Sequence, residues 1–357
     1  MLAILAAAGA LAAGAHDFAS RVVEYRPAPG QRVQDPEFND PGRALGAPTG
    51  GGLRTPDNTG LVTLGGFGGS ITLAFDPPLL DHPGNPMGLD FIVYGNAFHV
   101  GSPAVRWAEA AVVEVSRDAN ANGLPDDPWY VIPGSHLTPP LTPSTRTWDA
   151  GSVPAAWIPP GASLPFTAAG YALPSIFNGP TLANPLGPGA AQEGAYGYAD
   201  LSPTLRLGDL NADDLVDDPD ADPAVFYTVP DDPRTVGVSP GSGGGDAFDL
   251  AEAVDPATGA PAGLAAVDFV RITTAVDAVR GPLGEASAEI DALARVRPAC
   301  PAERDGAPGV GVNDLLAYLG AFRAAAPLAE ADGLPGIGVG DLLAYLGAFR
   351  QGCGDAD

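Results

Sequence analysis

Acidic and amide side chains crowd into one short stretch, Asp118-Ala-Asn-Ala-Asn-Gly-Leu-Pro-Asp-Asp127. Asp118, Asn120 and Asn122 fall at positions 1, 3 and 5 of a turn whose sixth residue is Gly123, where the chain must reverse sharply. Leu124 can offer a backbone carbonyl at position 7, and Asp126 and Asp127 can close the shell. Oxygen donors on this spacing suit a hard cation, and calcium in particular. A helix-loop-helix calcium hand would carry a bidentate Glu at position 12, where this chain has Trp129. The stretch therefore predicts a calcium turn within a β-hairpin. A second loop, Asp209 to Asp218, repeats the spacing with Asp209, Asn211 and Asp213, and offers Asp217 and Asp218 as closing ligands. Asp214 stands there where the turn glycine would be, at a conformational cost that Asp tolerates better than most residues. So many carboxylates in one turn repel one another without a cation. That cation either rigidifies the loop or takes part in ligand binding.

Other reactive arrangements are weaker. Gly237-Val-Ser-Pro-Gly241 has the spacing of a nucleophile elbow. The oxyanion hole of that motif needs the N–H of the residue after Ser239, and Pro240 has none. His16, His82, His99 and His136 all precede the serine, so the segment reads as a turn. Gly65-Gly-Phe-Gly-Gly69 joins two strand-like runs instead of opening a helix, and reads as a hairpin, not a phosphate cradle. Glu285 and Glu289 could in principle share glycosidase acid-base work, but a chain with 43 Asp and Glu produces such pairs by chance. The expectation is a non-catalytic protein. His99 follows Asn96-Ala-Phe98 and lies near Trp107, so it could line a ligand groove with Tyr94 and Asn96; the alternative is a structural histidine, since no cluster at transition-metal spacing surrounds it.

The elements that must position these residues are short strands. Gly and Pro together make 87 of the 357 residues, which disfavours long helices and favours strands joined by turns. Leu61 to Leu64, Ser70 to Phe75, Asp90 to Tyr94, Ala110 to Ser116, Trp129 to Ile132, Val225 to Val229 and Val267 to Thr274 read as strands. Between Leu137 and Gln192 only Arg146 and Asp149 are charged, and the stretch reads as irregular loops docked through Trp148, Trp157, Phe166, Tyr171 and Phe177. The net charge of −26, with Arg as the sole basic residue type, argues against binding nucleic acid or anionic membrane surfaces. Leu2 to Ala13 is a short apolar run followed by Ala13-Gly14-Ala15, a small-residue cleavage pattern, although a basic n-region is missing. The expected organisation is a signal peptide over 1–15, a calcium-stabilised β-domain over 16–297 and a helical module over 298–357, in a secreted or cell-surface protein.

Leu64-Gly-Gly-Phe-Gly-Gly-Ser-Ile-Thr-Leu73, Asp90-Phe-Ile-Val-Tyr-Gly-Asn-Ala-Phe98, the Asp118 loop running into Trp129-Tyr130, and Gly284-Glu-Ala-Ser-Ala-Glu-Ile-Asp291 resemble a family of bacterial cell-surface proteins of planctomycete and Bacteroidetes type. The resemblance implies a mainly β fold, a β-sandwich of jelly-roll, discoidin or carbohydrate-binding-module kind with long loops. It also implies a glycan or other extracellular ligand; some relatives are linked to cobalamin capture. A structural or adhesive surface protein and, third, a polysaccharide-active enzyme are the other readings.

The C-terminal module repeats itself. Asp305 to Arg323 recurs as Asp332 to Arg350, 27 residues later, and each copy is a Gly-rich loop opening a helix capped by Asp314 or Asp341. Leu315, Leu316, Leu319 and Phe322 are expected to form one apolar face, and Leu342, Leu343, Leu346 and Phe349 its counterpart, the two packing on each other. This duplicated loop-helix unit is similar to a dockerin, which implies a cohesin-like protein partner. Its loops depart from that pattern. With Asp314 and Asp341 as position 12, position 5 is Ala307 or Leu334 and position 9 is Gly311 or Gly338, so calcium binding there should be weak or absent. Cys300 and Cys353 bracket the module and, in an exported protein, read as a disulfide that would stabilise it by about 4 kcal/mol in the chain-entropy model.

Overall fold

The computed structural model describes residues 17–48, 59–82, 85, 88–95, 98–100, 105–107, 111–132, 143–172, 183–184, 245–275, 285, 287–296, 300–302, 304, 310–331 and 336–352. Among these, β-strands dominate and two α-helices close the chain. The strands are β1 (Arg21–Arg26), β2 (Val62–Thr63), β3 (Ser70–Leu80), β4 (Phe91–Gly95), β5 (Phe98–Val100), β6 (Val105–Trp107) and β7 (Ala111–Ser116), then β8 (Trp129–Ile132), β9 (Pro143–Trp148), β10 (Phe166–Ala172), β11 (Ala183–Asn184), β12 (Gly245–Phe248), β13 (Ala266–Thr274) and β14 (Glu289–Arg295). All named strand pairs are antiparallel.

Two sheets make the body. One has the order β1-β3-β13-β7-β8 and the other β12-β4-β14-β2. Their inner faces share a single apolar core: Ile71, Leu73, Val113, Val115, Val270 and Ile272 from the first meet Val62, Phe91, Val93, Phe248, Ile290 and Leu293 from the second. Each such side chain, removed from water, contributes about 2 kcal/mol of stabilisation. Phe91 and Phe248 stack with ring centroids 5.1 Å apart, which locks β12 onto β4. Two smaller sheets, β9 with β10 and β11-β6-β5, lie outside this pair.

Gly65–Gly69 is not a hairpin within one sheet. The β2 strand belongs to the four-stranded sheet and β3 to the five-stranded one, so the glycines carry the chain across from one sheet to the other. Gly65 holds φ at 71°, and a Cβ there would meet the carbonyl oxygen of Ala28 at 2.0 Å. A Cβ on Gly69 would meet the carbonyl oxygen of Leu64 at 1.8 Å. Close backbone approach, not ligand binding, accounts for these glycines.

The stretch expected to be irregular contains the antiparallel pair β9–β10. Thr and Ser on a polar, Pro-bounded run hide the period-2 signal, yet Trp148 at the end of β9 is buried on Phe67, Ala28 and Ala168. A buried ion pair clamps the hairpin down: Arg146 Nη2 donates to Oε1 of Glu285 at 2.5 Å, and Trp148 Nε1 donates to the same oxygen at 3.3 Å.

The helices α1 (Val312–Ala324) and α2 (Val339–Gln351) meet through Tyr318 and Tyr345, whose rings stack with centroids 3.8 Å apart. Leu315, Phe322, Leu342 and Phe349 pack on this pair as expected. Leu316, Leu319, Leu343 and Leu346 do not. They are exposed, because the helix turns the tyrosines inward and the space between the helices holds two flat rings instead of a leucine stripe. Among the described residues no helix is long and apolar enough to cross a membrane.

Arg146→Ala takes the guanidinium away from a Glu285 that is only 2% exposed. It should lower stability by about 3 kcal/mol, the lower end for breaking a buried pair because Arg146 itself keeps some exposure. A urea midpoint equal to that of the wild type would show that the clamp contributes nothing.

Candidate metal centre

The Asp118 loop leaves β7 and returns as β8, so the two strands hold its ends in register, with Val115 opposite Tyr130 and Ser116 opposite Trp129. Within it the side-chain oxygens organise the backbone. Asp118 accepts from the N–H of Asn122 through Oδ1 at 3.0 Å and from Gly123 through Oδ2 at 2.7 Å. Oδ1 of Asn120 accepts from Asn122, and Oδ1 of Asn122 accepts from Leu124. Gly123 has φ 74°, and Ala121 is also left-handed at 56°. Asp126 faces both amides, taking the Nδ2 of Asn120 at 3.2 Å and of Asn122 at 3.0 Å, while Asp127 accepts from the N–H of Ala119. The loop thus shapes itself through its own amides. Oδ1 of Asp126 accepts from both Asn120 and Asn122, whereas both oxygens of Asp118 and Oδ2 of Asp126 each accept one such bond and keep a lone pair that a hard cation could share.

One carboxylate at this loop escapes any local spacing rule. Asp268, on β13, accepts from the N–H of Asp118 at 2.8 Å and pairs with Nε of Arg117 at 3.4 Å. Burial is the main cause that raises its pKa, with Asp118 and Asp127 adding to it; the Asp118 N–H and Arg117 pull the other way. The donor set is all oxygen, and Arg117 already supplies part of the positive charge that the three carboxylates call for. Arg21 reaches in from β1 and donates to the carbonyl of Gly123 at 3.0 Å.

A second acidic group was not foreseen. Asp81, Asp90 and Asp249 each present an oxygen, all within 4.8 Å of one another. Asp81 follows β3, Asp90 precedes β4 and Asp249 follows β12, so the fold gathers them from positions up to 168 residues apart. The available signal was Asp90 itself, a carboxylate heading the wholly apolar run Phe91 to Tyr94. Oδ1 of Asp90 accepts from the His82 N–H at 3.2 Å and from Nδ2 of Asn85 at 2.8 Å, and Oδ2 accepts from the Leu250 N–H at 2.8 Å. Burial holds the Asp90 carboxyl well above its ordinary range, against the pull of those amides and with Asp81 and Asp249 adding to the rise. Asp81 and Asp249 are also raised, chiefly by burial.

The same edge of the body meets the helical module. Nη1 of Arg304 donates to Nε2 of His82, and the Arg304 guanidinium lies over the ring of Tyr345 at 5.5 Å and of Tyr318 at 6.0 Å. Burial and the adjacent Arg304 push the His82 imidazole down to about 3. Asp314 spends Oδ1 on the Arg304 N–H and Oδ2 on the Gly311 N–H, each at 2.7 Å. Asp341 does the same with Ala331 and Gly338. Both position-12 carboxylates therefore close their loops with backbone amides.

Of the residues expected to line a ligand groove, Tyr94 is fully buried on β4, so its ring lies in the interior. His99 on β5 pairs with Arg106, and Trp107 on β6 pairs with Phe98 and Ala183. Asn96, Cys353, the loop from Asp209 through Asn211, Asp213, Asp217 and Asp218, and the Gly237–Gly241 turn lie outside the described residues. Cys300 is not a free thiol. A scan against protein-family models finds no match to the chain, and a comparison with curated proteins finds none either.

His82 is buried and neutral, so unfolding lets it take up a proton at its ordinary value near 6.5 while the folded state resists until about 3. The unfolded state then binds more protons through that window, and stability falls as the pH is lowered. The stability difference between wild type and His82→Gln should shift against the wild type as pH drops from about 6.5 toward 3. A difference that stays flat across that window, measured by denaturant midpoints in chelator, would remove the burial account of this histidine.

Proposed function

We propose that this is an exported, non-catalytic binding protein of a bacterial surface. Its two-sheet body is a β-sandwich of jelly-roll or discoidin kind, braced by calcium, that recognises a glycan or another extracellular ligand, and its dockerin-like tail docks to a protein partner. The observation that carries the calcium reading is the Asp118 loop, where Asp118, Asn120, Asn122, Asp126 and Asp127 gather oxygen donors beside Asp268. Calcium would be held by these oxygens, and its charge would offset their mutual repulsion. The docking role is supported by two matching exposed apolar stripes, Val312, Leu316 and Leu319 on α1 and Val339, Leu343 and Leu346 on α2. The tail does not need calcium to close its loops, because amides hold Asp314 and Asp341, and a Cys300–Cys353 disulfide would add to its stability.

Chelator should lower the melting temperature of the full chain, and Asp118→Ala with Asn120→Ala should reproduce a distinct part of that loss. An unchanged melt in both cases would sink the calcium assignment. For the ligand, the full chain should be screened against a polysaccharide panel and cobalamin, first with calcium and then with chelator. Calcium-dependent binding to a polysaccharide is the expected result. Binding to cobalamin alone would replace the glycan reading, and silence from folded protein would favour an adhesive or structural role.

A further inference from the structure

We propose that Asp81, Asp90 and Asp249 hold one divalent cation of calcium type, with the side-chain carbonyl of Asn85 completing its protein ligands. This site is separate from the Asp118 loop and does not depend on it.

Size is the first argument. Calcium binds oxygen at about 2.3 to 2.6 Å, so two ligands on opposite sides of one ion stand roughly 4.6 to 5.2 Å apart. Three carboxylate oxygens within 4.8 Å of one another fit inside that limit around a common centre. Magnesium, at about 2.0 to 2.1 Å, demands stricter octahedral geometry and gives up its waters reluctantly, which suits it less to a site built from protein oxygens.

The buried amide of Asn85 is the second and independent argument. Asn85 is 6% exposed; its Nδ2 stands 2.8 Å from Oδ1 of Asp90, and its Oδ1 is buried with no hydrogen-bond partner. A buried carbonyl with no donor carries a desolvation cost of roughly 1–3 kcal/mol. A half-turn of the amide exchanges oxygen for nitrogen at the same place. The oxygen then faces the carboxylates in place of the Nδ2–Asp90 hydrogen bond, and a cation there replaces that bond, satisfies the oxygen and offsets the repulsion among the three acids.

Pre-orientation is the third. Asp90 is fixed by the amides of His82 and Leu250, and Asp249 by the N–H of Ala251 at 2.7 Å. Gly88, at φ 76°, lies so close that a Cβ would stand 3.1 Å from Oδ2 of Asp249. The donors are all oxygen, because Nε2 of His82 is turned to Arg304, and an oxygen set selects a hard ion over zinc.

The test is equilibrium dialysis of the chelator-stripped full chain with calcium alone. Asp81→Asn with Asp249→Asn should bind one calcium per chain fewer than wild type, whereas Asp118→Ala with Asn120→Ala should keep that ion. Equal uptake by wild type and the Asp81/Asp249 variant would overturn the proposal. Loss of ions only in the Asp118/Asn120 variant would do the same while leaving the loop assignment standing. If the Asp81/Asp249 variant fails to fold, Asn85→Ala, which spares all three carboxylates, should weaken uptake of that one ion about tenfold. Unaltered affinity there would overturn the site. Excess magnesium should not displace the ion, and displacement by equimolar magnesium would rule against calcium type.

Discussion

Much of what the loops do is anchored by one strand, β13. It sits between β3 and β7 at the centre of the five-stranded sheet and sends Val267, Val270 and Ile272 into the shared core. Asp268 and Arg271 reach outward, while Thr274 is buried on the same side as Val270 and Ile272. Asp268 holds the start of the Asp118 loop. Arg271 grips Glu114 with two bonds of 2.8 Å and lies over Trp129 at 4.1 Å. Thr274 trades backbone bonds with Gly68 and Gly69 and donates its hydroxyl to the carbonyl of Gly65. A strand whose inner face cannot move without opening the core gives its outer face the rigidity that a binding loop needs.

Local chemistry was legible in the sequence, and long-range assembly was not. The strand-like runs within the described residues all became strands, because alternation and β-branched content act over a few residues. The Asp118 turn was legible for the same reason. Asp268 and the Asp81, Asp90 and Asp249 group were not, since their members come together only after β3, β4, β12 and β13 have paired. The helical faces misled in a different way. Leucines at i and i+4 are the usual core stripe, but here Tyr318 and Tyr345 stack flat, occupy the middle, and leave Leu316 and Leu343 outside. The β9–β10 pair was missed because its exposed residues Thr145 and Thr147 are polar and its one strong anchor, Trp148, sits at the end of the strand.

The electrostatics follow one scheme. With 43 acids against 17 arginines, the chain cannot neutralise itself pair by pair. It spends arginine where a planar, several-pronged donor matters most: Arg146 on Glu285, Arg271 on Glu114, Arg117 on Asp268 and Arg304 on His82. Backbone amides take much of the remaining load at Asp90, Asp314 and Asp341. These amides carry no charge, so they orient carboxylates without cancelling them.

The start of the body has a further consequence. Phe18 bridges to Ala294 and the N–H of Ala19 donates to Leu293 on β14, yet one residue later Ser20 donates to Ala74 on β3. Three successive residues thus stitch the two sheets together along one edge, and they do so against the last strand of the body. The entry to the two-sheet body and its last strand therefore lie side by side, so the chain cannot come away from one sheet at this edge without also releasing the other.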